Sequence, residues 1–298
     1  MMAPFTQVVD VSLRLLQRVT ASRKPVSGLI QHSIVFTWMA VNSAGISAGV
    51  LLKKANVMNV HARAHSHNDY EHTRPLVDAL NAGFASVEAD IYLVDGKLLV
   101  AHDRKDVRPE RTLEALYLRP MMERIQRTGS VQPGISTFQL MIDIKANSAD
   151  VLPILDRAFK PYERWLSHGS SAEYIPNAFE IILSGDRPTR QLAARRERNI
   201  FVDARVDDLK SPQPGVFRMV SEAWLSHIPW FGSGLISRQH RAWLSDYVRR
   251  ADDLEIKSRF WGLPDTPAGW RILDAAGVSW IGTDKLDVCA AWMAARGL

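Results

Sequence analysis

One cysteine, Cys289, stands alone among 298 residues, so no intrachain disulfide can form and cysteine usage leaves the redox compartment open. No loop of the G-x-G-x-x-G or G-x-x-x-x-G-K kind follows a candidate strand, which removes the usual nucleotide-binding architectures. No internal repeat, low-complexity tract or second-domain linker is visible. Acids are nearly missing from the start of the chain. Asp10 is the one acid in residues 1–60, against six bases, while the rest of the chain holds 31 bases and 31 acids. The net charge of +5 therefore belongs to the N-terminal piece, in front of a neutral body. Without a basic stripe interleaved with aromatics, no nucleic-acid partner is expected. The 46% hydrophobic and 23% charged content excludes a disordered or fibrous chain.

Between Pro25 and Leu52 there is no Asp, Glu, Lys or Arg. As a helix, Ile30 to Leu52 would span about 35 Å, enough to cross a hydrocarbon core. Arg14, Arg18, Arg23 and Lys24 precede it, as in a signal peptide or signal anchor. Residues 1–56 are thus expected to be a leader or membrane anchor, giving a secreted or membrane-anchored protein with possible membrane association through this segment. Gln31, His32 and Asn42 inside the run, and Lys53-Lys54 after it, favour the alternative of a surface-packed or mobile extension. The amphipathic piece Val8–Val19 could equally lie on a membrane surface.

From Val57 onward, short apolar runs alternate with helical stretches. Strands are expected at Val60–His65, Ala85–Tyr92, Phe138–Ile144, Phe179–Leu183, Ile200–Asp203, Ala223–His227, Ile256–Gly262 and Ser279–Gly282. Helices are expected at Pro75–Phe84, Leu113–Arg127, Val151–Leu166, Thr189–Arg198, Arg238–Ala251 and Pro267–Ala276. Thr266 reads as the N-cap of the last of these, with Pro267 at its first position and Gly277 closing it. Eight strands alternating with helices make residues 57–298 one α/β domain, a (β/α)₈ TIM barrel, with a doubly wound sheet as the competing architecture. A monomer is expected.

Polar residues collect where the apolar strands end. The first strand runs into His65-Ser66-His67-Asn68-Asp69-Tyr70, the second holds Glu88-Ala89-Asp90, and a turn at Asp95-Gly96 leads to His102-Asp103. The third ends Asp143-Ile144-Lys145. Residues two apart share a strand face, so Glu88 and Asp90 point together toward the barrel interior or its mouth. Two such carboxylates repel unless a cation sits between them, and hard oxygen donors favour Mg²⁺ or Ca²⁺. Asp143 and the Asn68 amide oxygen could complete a metal set. The competing structural reading is a salt bridge of Glu88 and Asp90 with Lys145 or Arg63. His67 and His102 are the candidate acid and base, since imidazole titrates near neutrality, and His65, on the face of His67, is a further candidate.

These ordered motifs resemble the phosphatidylinositol-specific phospholipase C-like and glycerophosphodiester phosphodiesterase superfamily, in its bacterial and fungal branch with an H-x-H-N-D-Y motif. The resemblance runs from about Ala64 to the C-terminus. It implies a TIM-barrel phosphoric diester hydrolase needing a divalent metal, Mg²⁺ or Ca²⁺, and acting on a small-molecule or lipid phosphodiester. His67 and His102 match its catalytic histidines, Glu88 and Asp90 its metal-binding E-x-D, Asn68 and Asp143 further ligands, and Lys145 a lysine near the phosphate. Trp261, beside Phe260, could cover the head group, with core packing as the alternative. The His-Arg-Gly start of true glycerophosphodiesterases is absent, and no inositol-holding arginine can be assigned.

Two other readings compete. An amidohydrolase-like metal barrel also opens on H-x-H and would use Asp284 and a histidine such as His227, but it leaves Glu88, Asp90 and His102 without a task. A non-catalytic barrel that binds phosphate or lipid head groups is the third.

Overall fold

The computed structural model describes residues 60–298, so the expected leader or anchor, 1–56, lies outside the described residues. In chain order the strands are β1 (His61–Ser66), β2 (Phe84–Val94), β3 (Lys97–Val100), β4 (Phe138–Ile144), β5 (His168–Gly169), β6 (Tyr174–Ile175), β7 (Phe179–Gly185), β8 (Phe201–Ala204), β9 (Phe217–Ala223), β10 (Lys257–Trp261) and β11 (Ile281–Thr283). Eight of them are parallel neighbours in the order β10-β9-β8-β7-β4-β2-β1-β11. The ring closes between its two ends through serines. Ser258 N donates to Ser279 Oγ and Ser279 N to Ser258 Oγ, both at 3.0 Å, and Trp280 N donates to Ser258 O at 3.0 Å. The result is the expected barrel, with strands running the same way and every strand's C-terminal end at one rim.

The helices are α1 (Val77–Asn81), α2 (Arg119–Thr128), α3 (Ser148–Phe159), α4 (Thr189–Ala193), α5 (Trp224–His227), α6 (Arg238–Asp253), α7 (Pro267–Ala276) and α8 (Leu286–Ala294). Strand alternation divides the core in two. On β4, Leu140, Ile142 and Ile144 join the apolar layer between wall and helices, while Met141 turns inward to meet Ala85, Ile182, Phe201, Met219 and Trp280. That inner layer plugs the barrel below its polar mouth. Thr266 caps α7 as expected, accepting from Gly269 N at 3.3 Å, and Gly277 ends it at φ 77°.

Several boundaries differ from the sequence expectations. The sixth barrel strand is Phe217–Ala223, and Trp224–His227, expected as strand, is helix α5. Arg218, Ser221 and Glu222 interrupt the apolar run of β9, which hid it; only Phe217, Met219 and Val220 carry the apolar signal. The expected helix Val151–Leu166 starts at Ser148, whose N and Oγ bond Asp186, and becomes a 3₁₀ turn from Lys160 because Pro161 has no N–H to continue the ladder. The expected helix Leu113–Arg127 opens with a π turn, Glu114–Leu118, before α2. Helix α8 was not anticipated; its residues are apolar nearly all round, so no 3.6-residue stripe stands out.

Candidate active site

The turn after β1 is built around Asp69, a fully buried carboxylate. Its Oδ1 accepts from Ser66 Oγ at 2.8 Å, and its Oδ2 accepts from Leu76 N at 2.5 Å and from the Tyr117 hydroxyl at 3.0 Å. Burial pushes the Asp69 carboxyl above its ordinary value while these donors pull it back. Asn68 sits at φ 46°, a left-handed position that an asparagine tolerates. This turn sets His67 at the rim, where its Nδ1 lies 2.8 Å from Asp284 Oδ1 beyond β11. Burial opposes a charge on His67, but the Asp284 hydrogen bond and the Glu88 charge prevail and hold its imidazole above the ordinary value.

On β2, Glu88 and Asp90 share the inward face, as their spacing implied. The second strand continues past the barrel wall, turns at Asp95-Gly96 and returns as antiparallel β3, which delivers His102 to Asp90. His102 Nδ1 lies 3.1 Å from Asp90 Oδ2, and its side chain is 58% exposed. The Tyr70 hydroxyl donates to the same Asp90 Oδ2 at 2.6 Å, lying also 2.9 Å from Asn68 Oδ1 and 3.1 Å from His102 Nδ1. Both rim histidines thus have Nδ1 against an aspartate. A carboxylate there fixes the Nδ1–H tautomer and leaves Nε2 as the proton-transfer atom.

Asp143 of β4 pairs in register with Asp90. Lys145 Nζ lies 2.6 Å from Asp90 Oδ2 and 3.2 Å from Asp143 Oδ1. Burial lowers the lysine's affinity for its proton, but the two aspartates outweigh it and hold Lys145 charged. Asp143 is pushed up to about 6, first by burial and then by Asp90 and Glu88, against the pull of Lys145. Gly185, at φ 70° after β7, is the close neighbour of Asp143: a Cβ there would stand 2.4 Å from Ile144 O and 2.6 Å from Asp143 Oδ1. Glycine is needed to let the carboxylate sit where it does.

Beneath the rim, Glu88 is bonded by Arg259 Nη2 and lies 3.3 Å from His65 Nε2. Burial alone would raise the Glu88 carboxyl, yet Arg259 and His65 hold it far below the usual carboxylate range. His65 is fully buried, with Nδ1 2.7 Å from Ser86 Oγ, and burial together with Arg259 lowers it to about 4. Both of its nitrogens are engaged, by Ser86 and Glu88, so His65 is a neutral, buried partner of Glu88, unlike the two rim histidines.

Opposite the histidines, Arg205 follows β8. Its Nη1 donates to Asp203 Oδ2 at 2.7 Å and its Nη2 to Ser184 Oγ at 3.1 Å, and its guanidinium lies 4.8 Å from the centre of the Trp261 ring. Burial disfavours the Arg205 charge, but Asp203, Glu222 and Asp143 secure it. Phe260 turns outward into the core against Trp224 and Tyr247, so of the aromatic pair only Trp261 stands in this wall.

The competing salt-bridge reading is met in part: Lys145 does pair with Asp90, whereas Arg63 faces outward to Asp274 at 2.7 Å. Arg259, Arg205, Tyr70 and the Asp284–His67 contact were missed. Strand alternation in Lys257-Ser258-Arg259-Phe260-Trp261 was the available signal for Arg259, because it puts three polar or amphipathic residues on one face. The amidohydrolase reading loses its ligands: His227 lies 3.2 Å from Glu222 Oε2 and stacks on Trp243, and Asp284 serves His67.

Among the described residues, no three His, Cys, Asp or Glu side chains form a ready metal cage; Lys145 stands between Asp90 and Asp143. The charge balance nevertheless suits a cation. Asp90 Oδ1 is buried with no hydrogen-bond partner, and Asp143 is raised first by burial and then by the Asp90 and Glu88 charges. Hard oxygen donors of this kind fit Mg²⁺ or Ca²⁺.

The eight-stranded parallel barrel is the fold that the resemblance to phospholipase C-like and glycerophosphodiester phosphodiesterases implied. Residues 53–134 match the AIM6-like phosphodiesterase domain. The chain is similar to the Altered inheritance of mitochondria protein 6 homolog of Arthroderma benhamiae, at 27% identity over 255 residues, covering 75% of this chain and 81% of that protein. It is 28% identical over 267 residues to the Altered inheritance of mitochondria protein 6 of Eremothecium gossypii, covering 76% and 68%. Among solved structures, a glycerophosphodiester phosphodiesterase from Parabacteroides distasonis superposes with a TM-score of 0.50 at 16% identity, over 82% of this chain and all of that one. No helix among the described residues is long and apolar enough to cross a membrane.

Proposed function

We propose that the barrel is a phosphoric diester hydrolase in which His67 and His102 work as an acid–base pair on a glycerophosphodiester- or phospholipid-like substrate. One observation carries this reading: both rim histidines have Nδ1 against a carboxylate, Asp284 for His67 and Asp90 for His102. One Nε2 takes the proton of the attacking hydroxyl, from water or from a neighbouring hydroxyl of the substrate, as the new P–O bond forms. The other gives its proton to the leaving alkoxide as the old P–O bond breaks. Lys145, kept charged by Asp90 and Asp143, holds a non-bridging oxygen as a point charge. Arg205 and Trp261 form the wall against which the rest of the head group rests.

Glu88, Asp90 and Asp143, with Asn68 beside them, would hold a divalent ion, Mg²⁺ or Ca²⁺. Such an ion supplies charge neutralisation to a phosphodiester and its transition state.

The test is a panel of phosphodiesters assayed with Mg²⁺, Ca²⁺ and Zn²⁺, comparing the full chain with His67→Ala and Glu88→Ala. Metal-dependent turnover that disappears in both variants, with circular dichroism unchanged, supports the reading. Equal rates in the variants sink it, and stoichiometric zinc in the purified protein would favour an amidohydrolase-like barrel instead.

A further inference from the structure

The segment between β9 and α6 does not follow the rule of apolar residues inward. Phe231 is 76% exposed, Leu235 94% and Leu225, on α5, 48%. These three project from the rim of the barrel, because β9 ends there and α6 starts its return from there. A Cβ at Gly232 would stand 3.5 Å from Pro264 Cβ, in the loop after β10 and three residues beyond Trp261, so the segment runs close to the candidate site.

The exposure is built. Trp224 is fully buried below the segment, and its indole Nε1 donates to Trp230 O at 3.1 Å. The Trp230 indole in turn donates to Gly234 O at 3.0 Å, with the two indoles edge to face at 6.4 Å. Gly232 and Gly234 take φ of 107° and 74°, which turns the chain out around this pair and leaves Phe231 and Leu235 pointing into solvent. Just behind Leu235, an apolar groove of about 260 Å³ opens between α6 and α7, lined by Ile236, Leu244, Ile272 and Ala275, with Arg241 at its edge.

Within the segment itself the charge has one sign, although Glu222 precedes it and Asp246 follows it. From Ala223 to Ser245 there is no Asp or Glu, while Arg238 and Arg241 are exposed and His227 and His240 lie nearby. Protruding aromatic and aliphatic side chains ringed by arginines suit the boundary of a lipid layer, where the apolar tips enter the acyl region and the cations meet phosphates. A protein partner would ask for a broad complementary patch, about 800 Å² on each side. Three protruding side chains around a ridge do not supply one.

We propose that the Leu225–Leu235 ridge docks the barrel mouth onto a lipid surface bearing anionic phosphates, so that the site takes its phosphodiester from a membrane. This rests on the phosphodiesterase reading above and names the physical state of its substrate.

The full chain carries one native cysteine, Cys289, which is buried, so Leu235→Cys can be labelled selectively with an environment-sensitive fluorophore. Ile175→Cys, on β6 before β7 and so at the opposite end of the barrel, is the control. With vesicles of phosphatidylcholine and phosphatidylserine, emission at position 235 should shift to the blue and rise, with position 175 unchanged. Phe231→Ser should weaken the vesicle response at position 235 by about tenfold in lipid concentration, the loss of one buried aromatic. No shift at position 235 overturns the proposal even if the protein sediments with vesicles through another segment. Equal shifts at both positions overturn it too, as does a shift produced by raising protein concentration without lipid, which would mark a contact between copies. Turnover of a soluble phosphodiester by Phe231→Ser separates the two readings: turnover kept while the vesicle response falls supports the docking ridge. A full lipid response in a chain that turns over no phosphodiester supports the ridge and refutes the catalytic reading alone.

Discussion

Arg259 of the seventh barrel strand closes across the interior onto Glu88 of the second, the carboxylate that also holds His65. Both side chains are buried. Taking away one member of such a pair leaves an uncompensated charge, so Arg259→Ala should cost about 3–5 kcal/mol of stability. Arg259→Met with Glu88→Gln should recover much of that loss, because no charge is then left behind. Urea unfolding of the two variants beside the parent checks this; a single variant as stable as the parent would show that the pair contributes nothing.

The Asp284–His67 contact predicts a kinetic signature. His67→Ala should lower turnover by about 10²–10⁴-fold, the usual worth of a positioned acid or base. Asp284→Asn should lower it less and do something further. The Asp284 hydrogen bond helps hold the His67 imidazole above its ordinary value, so without that carboxylate the limb of the pH–rate profile set by His67 should move to lower pH. A profile that keeps its position would separate Asp284 from the histidine's titration.

Stability should respond to pH through His65. Its native value is about 4, against 6.5 for an unhindered imidazole. Between those values the unfolded chain binds the proton and the native one does not, so stability is fully present above pH 6.5 and is lost as pH falls toward 4. The loss is about 2–3 kcal/mol. His65→Asn, which cannot titrate, should flatten the slope between pH 6.5 and 4 relative to the parent in chemical denaturation. Parallel curves would contradict the buried neutral assignment.

Gly185→Ala tests the crowding beside Asp143. A methyl group would press on Ile144 O and the carboxylate, and φ of 70° adds strain of about 1–2 kcal/mol for an L side chain. The variant should unfold at lower temperature and lose activity as Asp143 is displaced. A melting temperature within a degree or so of the parent would mean the turn relaxes freely.

The barrel was legible because its apolar runs and helical stripes alternate with little interruption, and the acidic mouth was legible because E-x-D spacing alone assigns a common strand face. His67, His102, Glu88, Asp90, Asp143 and Lys145 do come together at one end. What was hidden has two physical causes. Strand β9 was misplaced because its solvent-side and interior positions carry Arg218, Ser221 and Glu222, which mimic a loop. The partners that tune the site, Arg259 on Glu88 and Asp284 on His67, stand 171 and 217 residues from what they touch. No local pattern reports such a pairing. The burial of His65 was hidden for a related reason: sharing a face with His67 says which way it points, and depth along the barrel decides whether it is reached by water.

The excursion of β2 into the β3 hairpin gives the two rim histidines unequal histories. His102 meets its aspartate 12 residues away, within one hairpin that the chain can form as soon as it is made. His67 meets its own 217 residues away, and only after the eighth strand has docked beside the first. Contacts of such range are the late, slow ones in folding. A nascent, truncated or partly opened barrel would therefore display an oriented His102 beside its carboxylates and an unguided His67. Docking of β11 beside β1 is then the event that turns half a site into a whole one.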